Sequence, residues 1–187
     1  KYSNVGYMVL SELLSDLTGQ PFDVLMEECL FRPLHMNSST FNQQPKPGIR
    51  SRLATGYDAS GQPLPYYRYP FEGAGSLMTT PSDLAVFLAA VMEDYRQEQG
   101  GRVIPHSIAQ RVFARREGKL GFNRWYTDSL LVYRNDGSIH GFNGFLMGAP
   151  DRGQAVVVLA NANSEAAYGL LNYIWRAVAM EYQWGYF

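Results

Sequence analysis

Between residues 124 and 160, three segments rich in β-branched and aromatic residues follow one another across short turns, and segments joined that closely pair only antiparallel. The segments are 124–133, 138–149 and 154–160. Turns are expected at Asn135-Asp136-Gly137 and at Pro150-Asp151-Arg152-Gly153, where the residue types suit tight reversals. The near-continuous apolar run from Ala155 to Ala160 has the pattern of a strand buried on both faces, which demands helices on both sides of the sheet.

The rest of the chain supplies such helices. Ser3 or Asn4 can cap a first helix whose apolar positions Val5, Met8, Val9, Leu13, Leu14 and Leu17 recur at threes and fours, with Gly19 as its stop. Pro21 suits the first turn of a second helix with Phe22, Leu25, Met26 and Cys29 as its buried stripe, ending at Pro33. Thr80-Pro81-Ser82-Asp83 is a strong helix start, and Leu84, Phe87, Leu88, Val91 and Met92 form the inner face behind it. Ile104, Ile108, Val112 and Phe113 suggest a further short helix from near Pro105. A last helix, expected over 164–182, presents Ala167, Leu170, Leu171, Ile174, Val178 and Tyr182. The expected fold class is therefore α+β, an antiparallel sheet flanked by helices. One domain is expected: a helical hairpin over 1–36, a long loop region over 37–79, helices over 80–116, the antiparallel meander over 119–161 and the closing helix over 164–183. The loop region is dense in Pro and Gly but carries Tyr57, Tyr66, Tyr67, Tyr69 and Phe71, so it reads as a packed excursion over a cleft rather than a solvated linker.

Composition narrows the function. With 187 residues, 46% of them hydrophobic, the chain is long enough to bury a sizeable core. Sixteen Lys and Arg against 17 Asp and Glu leave a formal charge of -1, without the basic field that nucleic acid requires. No apolar run reaches the roughly 18–20 residues of a membrane helix. The single cysteine, Cys29, has apolar neighbours and is expected buried. No Ser-x-x-Lys, Gly-x-Ser-x-Gly, phosphate-binding loop or metal-ligand spacing occurs, so the residues imply neither a metal nor an organic cofactor.

Two constellations remain. Tyr2-Ser3-Asn4 puts a phenol and a carboxamide two residues apart at a helix start, where side chains can reach a cleft; the ordinary alternative is a cap beside a surface tyrosine. In Ser138-Ile139-His140-Gly141-Phe142-Asn143-Gly144-Phe145, a histidine expected on a strand is bordered by glycines that admit a substrate backbone; the ordinary alternative is an imidazole satisfied by a carbonyl. Asp136, Ser138 and His140 mimic a triad in spacing, but neighbouring positions on one strand rarely provide nucleophile geometry.

The order of the pieces is more telling than any one of them. Tyr2-Ser3-Asn4 opens an apolar helix ending in Thr18-Gly19-Gln20-Pro21-Phe22, followed by Phe31-Arg32-Pro33-Leu34-His35-Met36-Asn37-Ser38-Ser39-Thr40. Gly73-Ala74-Gly75-Ser76-Leu77-Met78-Thr79-Thr80-Pro81-Ser82-Asp83-Leu84 comes next, then His140-Gly141, Asn143-Gly144-Phe145 and Val156-Val157-Val158-Leu159-Ala160-Asn161. Together these resemble the serine β-lactamase and penicillin-binding-protein-like family, and within it the class C β-lactamase, D-aminopeptidase and esterase branch. The resemblance implies a β-lactamase/transpeptidase-like fold, incomplete at its N-terminus, and acyl transfer by a serine hydrolase on an amide, ester or β-lactam carbonyl. It makes Tyr2 the general base and acid, Asn4 a substrate-orienting amide, and His140 the occupant of the position often held by lysine in a Lys-Thr-Gly triplet. It also implies substrate contacts at Gly75, Ser76, Gly141, Phe142 and Asn143, with the oxyanion-holding N–H on either Phe142 or Asn143. Phe142 is expected to narrow the cleft toward small or flat acyl groups.

In that family a Ser-x-x-Lys nucleophile lies upstream of the tyrosine motif, and its absence here implies that these residues alone are inactive. A free phenol titrates near 10, so Tyr2 needs a positive neighbour or a partner amine to act as a base; Lys1, Lys46, Lys119, Arg50 and Arg52 are the candidates considered. The implied partners are a small-molecule or peptide substrate and a missing N-terminal segment of the same protein. The exposed edge and apolar faces that such a gap would leave make homo-oligomerisation a further expectation. The resemblance also favours a periplasmic or extracellular location. The competing expectation is a non-catalytic homologue that binds peptide or peptidoglycan.

Overall fold

The structure is a computed structural model and describes residues 2–99, 101–113, 120–126 and 130–185. Lys1 and Lys119, two of the cations considered for Tyr2, lie outside the described residues, as do 114–116 at the end of the expected helical region and 127–129 within the expected first strand.

Helix α1 spans Asn4–Thr18, with the Ser3 hydroxyl accepting the Gly6 N–H and Gly19 closing it in the left-handed conformation. Helix α2, Phe22–Met26, runs directly into a π-helical turn, Glu27–Phe31. Pro21 stands one position earlier than expected, as the N-cap. A short α3, Pro47–Arg50, interrupts the long loop. Helix α4, Pro81–Arg96, is capped by Thr80, and α5 covers His106–Phe113. The sheet strands are β1 (Asn123–Tyr126), β2 (Leu131–Ile139), β3 (Phe142–Ala149) and β4 (Gln154–Ala160), antiparallel in the order β1-β2-β3-β4. Helix α6, Glu165–Glu181, capped by Ser164, closes the described fold. The architecture is α+β, an antiparallel sheet with helices on both faces.

Strand alternation divides the core. Val132, Phe145, Met147 and Ala149 point to one face, where α6 lays down Trp175 and Ala179 and the C-terminal Trp184 joins them. Leu131 and Tyr133 point to the other, against Leu88, Val91 and Met92 of α4 and Phe113 of α5. Tyr133 is fully buried, and that burial pushes its phenol well above the ordinary range. Asp94 is buried too, and its carboxylate accepts the N–H groups of Arg102, Val103 and Ile104, which fastens the α4–α5 connection.

Six expectations are corrected. Asn135-Asp136-Gly137 is not a turn: β2 runs through it, pairing these residues with Leu146, Phe145 and Gly144, and the reversal occurs at His140-Gly141. The expected strand over 138–149 is therefore split, and His140 lies in the turn rather than in a strand. Cys29 is exposed, because its side chain leaves the outer side of the π-helical turn while Phe31 and Leu34 go inward. The apolar stripe of α1 is not buried: Ser11 is its only buried residue. On α6 the inward face is Leu171, Trp175 and Ala179, leaving Leu170 and Tyr182 exposed. Finally, β4 is an edge strand of the described sheet and is half-buried to exposed along its length rather than buried on both sides.

The long loop is packed, as its aromatics suggest, but by isolated bridges rather than strands. Thr40 pairs with Met78, and Tyr57 with both Pro63 and Ala162. Gln43 is its central tie: its amide donates to the carbonyls of Phe41 and Ser76 and accepts the Tyr69 N–H.

Candidate active site

The first candidate group sits at the exposed start of α1. The Tyr2 hydroxyl donates to Asn4 Oδ1 at 2.7 Å, so phenol and carboxamide are already joined, and the Tyr2 ring lies 5.8 Å from that of Tyr7. One turn further along, α1 is pressed against the loop carrying Gly73. A Cβ placed on Gly73 would stand 2.3 Å from the Tyr7 carbonyl oxygen and 2.8 Å from Ser11 Cβ, so only glycine lets the loop approach this closely. Two residues later, a Cβ placed on Gly75 would stand 3.3 Å from Ile139 Cγ2 at the end of β2. The glycine loop thus lies against α1 at Tyr7 and Ser11 and beside the end of β2 at Ile139.

The β2–β3 turn is the second group. Gly141 has φ +79° and packs on Gly56, where a side chain on either residue would collide. The His140 N–H donates to the Tyr69 hydroxyl at 2.9 Å, and Asn163 Nδ2 donates to the Ile139 carbonyl at 2.8 Å. Phe142 turns its ring toward Gly56, so it fills the seam between turn and loop.

Two expected contact residues stand elsewhere. Ser76 is buried and its hydroxyl donates to the Glu72 carbonyl, which holds the glycine loop closed. Asn143 points to the α6 face of the sheet, where its Nδ2 donates to the Ala162 carbonyl. There it lines an open cleft with Arg134, Asp136, Ser138, Asn163 and Glu165. The triad-like spacing does not assemble. Asp136 takes the Arg134 guanidinium at 3.3 Å, the Ser138 hydroxyl accepts from Asn163, and His140 is on the turn beyond them.

Of the cations considered for Tyr2, Arg52 donates to the Gly48 carbonyl and the Ser38 hydroxyl, and Arg50 sits 6.0 Å over the Tyr66 ring. The cation on β2 is Arg134, held 4.8 Å over Phe145 on the α6 side. Behind the glycine loop, Glu72 is half-buried beside Asp23 and Glu12. Burial and then these two carboxylates raise its pKa above the ordinary carboxylate value. Gln43 and Gly73, which shape this region, were not singled out from sequence as site-forming. Gly73 had a signal, a Gly-x-Gly stretch before a capped helix, whereas a lone loop glutamine has none.

A family model described as Beta-lactamase matches residues 1–180. Protein flp of Staphylococcus aureus (strain MRSA252) is 23% identical over 180 residues, covering 93% of this chain and 36% of that protein. The D-amino acid amidase of Ochrobactrum anthropi SV3, solved with D-phenylalanine, superposes with a TM-score of 0.74 at 20% identity, over 96% of this chain and 61% of the amidase chain. The D-alanine carboxypeptidase AmpC of Burkholderia cenocepacia gives 0.73 at 22% identity, over 92% and 60%. The chain thus spans little more than a third of the curated relative it matches.

Proposed function

The chain belongs to the beta-lactamase family, and on that premise we propose that it forms the base-bearing and sheet-bearing part of a serine hydrolase that cleaves an amide, ester or β-lactam carbonyl through an acyl-enzyme. The observation that carries this reading is the Tyr2–Asn4 hydrogen bond at the exposed end of a helix whose flank contacts the glycine loop, which in turn runs beside the end of β2. In the proposed reaction a serine hydroxyl attacks the carbonyl while the Tyr2 oxygen relays the proton to the leaving group. Asn4 orients the substrate amide, and two backbone N–H groups hold the oxyanion. The serine comes from polypeptide outside these 187 residues, in which no Ser-x-x-Lys occurs, so these residues alone turn nothing over. The exposed apolar face of α1, with Val5, Val9 and Leu13 outward, is where that polypeptide packs.

One observation favours a second reading, binding of a peptide or peptidoglycan-like ligand without turnover. His140 is on a turn, and the strand positions leading to it, Asn135 and Gly137, carry no cation to assist the phenol. Intact-mass analysis of the full-length polypeptide after exposure to a fluorophosphonate or a penicillin separates the two. The hydrolase reading expects a single serine adduct, formed roughly 10²–10⁴-fold more slowly in Tyr2→Phe. No adduct on folded wild-type protein would sink it and leave the binding reading.

A further inference from the structure

Helix α6 carries two apolar rows, and the described fold uses one of them. Leu171, Trp175 and Ala179 face the sheet and are buried. On the side turned away from the sheet, Ala166, Leu170, Tyr173, Ala177 and Met180 follow one another at alternating spacings of four and three, the rhythm of a helix–helix seam, and none carries a charge. All five are exposed, Leu170 by 57%, Tyr173 by 73% and Met180 by 76%. Scattered apolar residues on a surface need no explanation, but a row that runs the length of a helix does. Gly169, beside the row, is equally unaccounted for within the fold. Glycine weakens a helix interior, and a Cβ at this position would meet nothing within 4 Å.

We propose that this outer row is the contact between two copies of the polypeptide, with their α6 helices packed antiparallel about a two-fold axis at Tyr173. The row is self-complementary in that arrangement. Met180 meets Ala166 of the partner subunit, Leu170 meets Ala177 of the partner subunit, and the two Tyr173 rings meet on the axis, so that off the axis each large side chain falls opposite a small one. The charges agree with it. Arg176 and Glu181 lie on opposite flanks of the row, so the two-fold sets Arg176 against Gly169 of the partner subunit and Glu181 against Ala167 of the partner subunit. The open glycine thereby receives the long Arg176 side chain, and the nearest α6 charge that the partner brings to that flank is Glu165, of opposite sign. Polypeptide that extends the sheet or covers α1 reaches the flanks of α6 rather than its back, which leaves a second copy as the occupant that the row fits. A single helix face about 21 Å long falls short of the roughly 800 Å² per partner of a standard interface, so the dimer is weak and depends on concentration.

Light scattering behind gel filtration, run on the full-length polypeptide across concentration, tests this. The mass of one polypeptide is expected near about 1 μM and twice that mass toward about 1 mM, the range of a weak interface. Tyr173→Glu sets two carboxylates together on the axis and should return the mass to one polypeptide at the highest concentration. Val86→Glu, the same change at an exposed position of α4, should leave the dimer intact. Unchanged far-UV circular dichroism of both variants excludes unfolding as the cause. Cysteine cross-linking then locates the axis, in a Cys29→Ser background because Cys29 is exposed. Tyr173→Cys should form a disulfide-linked dimer by itself. Ala166→Cys should not, because the two-fold holds the two copies of that position about 21 Å apart along the helices, but it should link to Met180→Cys when the two variants are mixed. The mass of one polypeptide at every concentration would overturn the proposal, the row then being covered by another part of the same polypeptide or left bare. A dimer that survives Tyr173→Glu would overturn it too, as would Ala166→Cys linking to itself, the mark of a parallel pairing.

Discussion

Helices α1 and α4 are close to twins in sequence design and opposites in environment. They have 15 and 16 residues, each with a hydroxyl cap and apolar residues at threes and fours. In α4 that stripe is core: Leu88 is 1% exposed, and Ala90, Val91, Met92 and Asp94 are buried with it. In α1 the same kind of stripe faces solvent, with Val5 at 63% and Leu17 at 74%. Periodicity reports which face of a helix requires cover; whether the cover lies within these residues is a separate matter, decided by tertiary contacts. The largest expected effect follows directly. Leu88→Ala should cost about 2–5 kcal/mol of unfolding free energy, because it opens a hole in a closed core. Leu13→Ala should cost less than about 0.5 kcal/mol, as at an ordinary surface. Urea denaturation of both variants measures the gap, and equal losses would abolish the contrast. In the full-length polypeptide the proposed packing on α1 should raise the Leu13→Ala cost toward that of Leu88→Ala.

The same contrast explains what could be read beforehand. Local signals held where local chemistry decides. Ser3 and Thr80 cap their helices, α6 begins next to Ser164, Gly19 closes α1, and Pro150 to Gly153 reverses the chain between β3 and β4. They failed where pairing partners decide. Asn135-Asp136-Gly137 has turn chemistry, yet cross-strand bonding to β3 pulls it into the ladder and moves the turn to His140-Gly141. That shift in turn relocates His140, so the segments that carry the candidate residues were legible but not the register that sets those residues in space. Burial on α1 and β4 was misjudged for the reason the twin helices make plain: the pattern is local and the cover is not.

A smaller effect tests the helix starts. Thr80 Oγ1 accepts the Asp83 N–H at 3.2 Å, and Ser3 Oγ accepts the Gly6 N–H at 3.3 Å, so the bonds themselves are alike. Their surroundings are not. Thr80 is half-buried and leads into a packed helix, whereas Ser3 is exposed at a helix end with no covering layer among the described residues. Thr80→Ala is expected to cost about 1 kcal/mol and Ser3→Ala about half of that or less, because a fraying first turn loses little when its cap goes. Hydrogen exchange in the first turn of each helix checks this directly. A larger loss of protection in α1 than in α4 would reverse the order.

The smallest effect concerns acidic groups on the two helices. Helix α4 turns Asp94 into three backbone N–H groups, which welcome a charge, whereas α1 brings Glu12 toward Glu72 and Asp23, which do not. Burial and then the two carboxylates raise the pKa of Glu72, so the folded chain holds that proton at pH values where the unfolded chain has released it. The associated stability is fully present below the ordinary carboxylate pKa. It is lost as pH rises to the raised value and is level beyond it. Glu72→Gln cannot ionise and keeps a similar shape. It should match wild type in acid and melt higher at neutral pH, with the difference growing across the carboxylate range. Melting temperatures of the two proteins measured against pH test this, and a Gln variant that melts lower at neutral pH would show that the α1 side is held together by the Glu72 charge rather than strained by it.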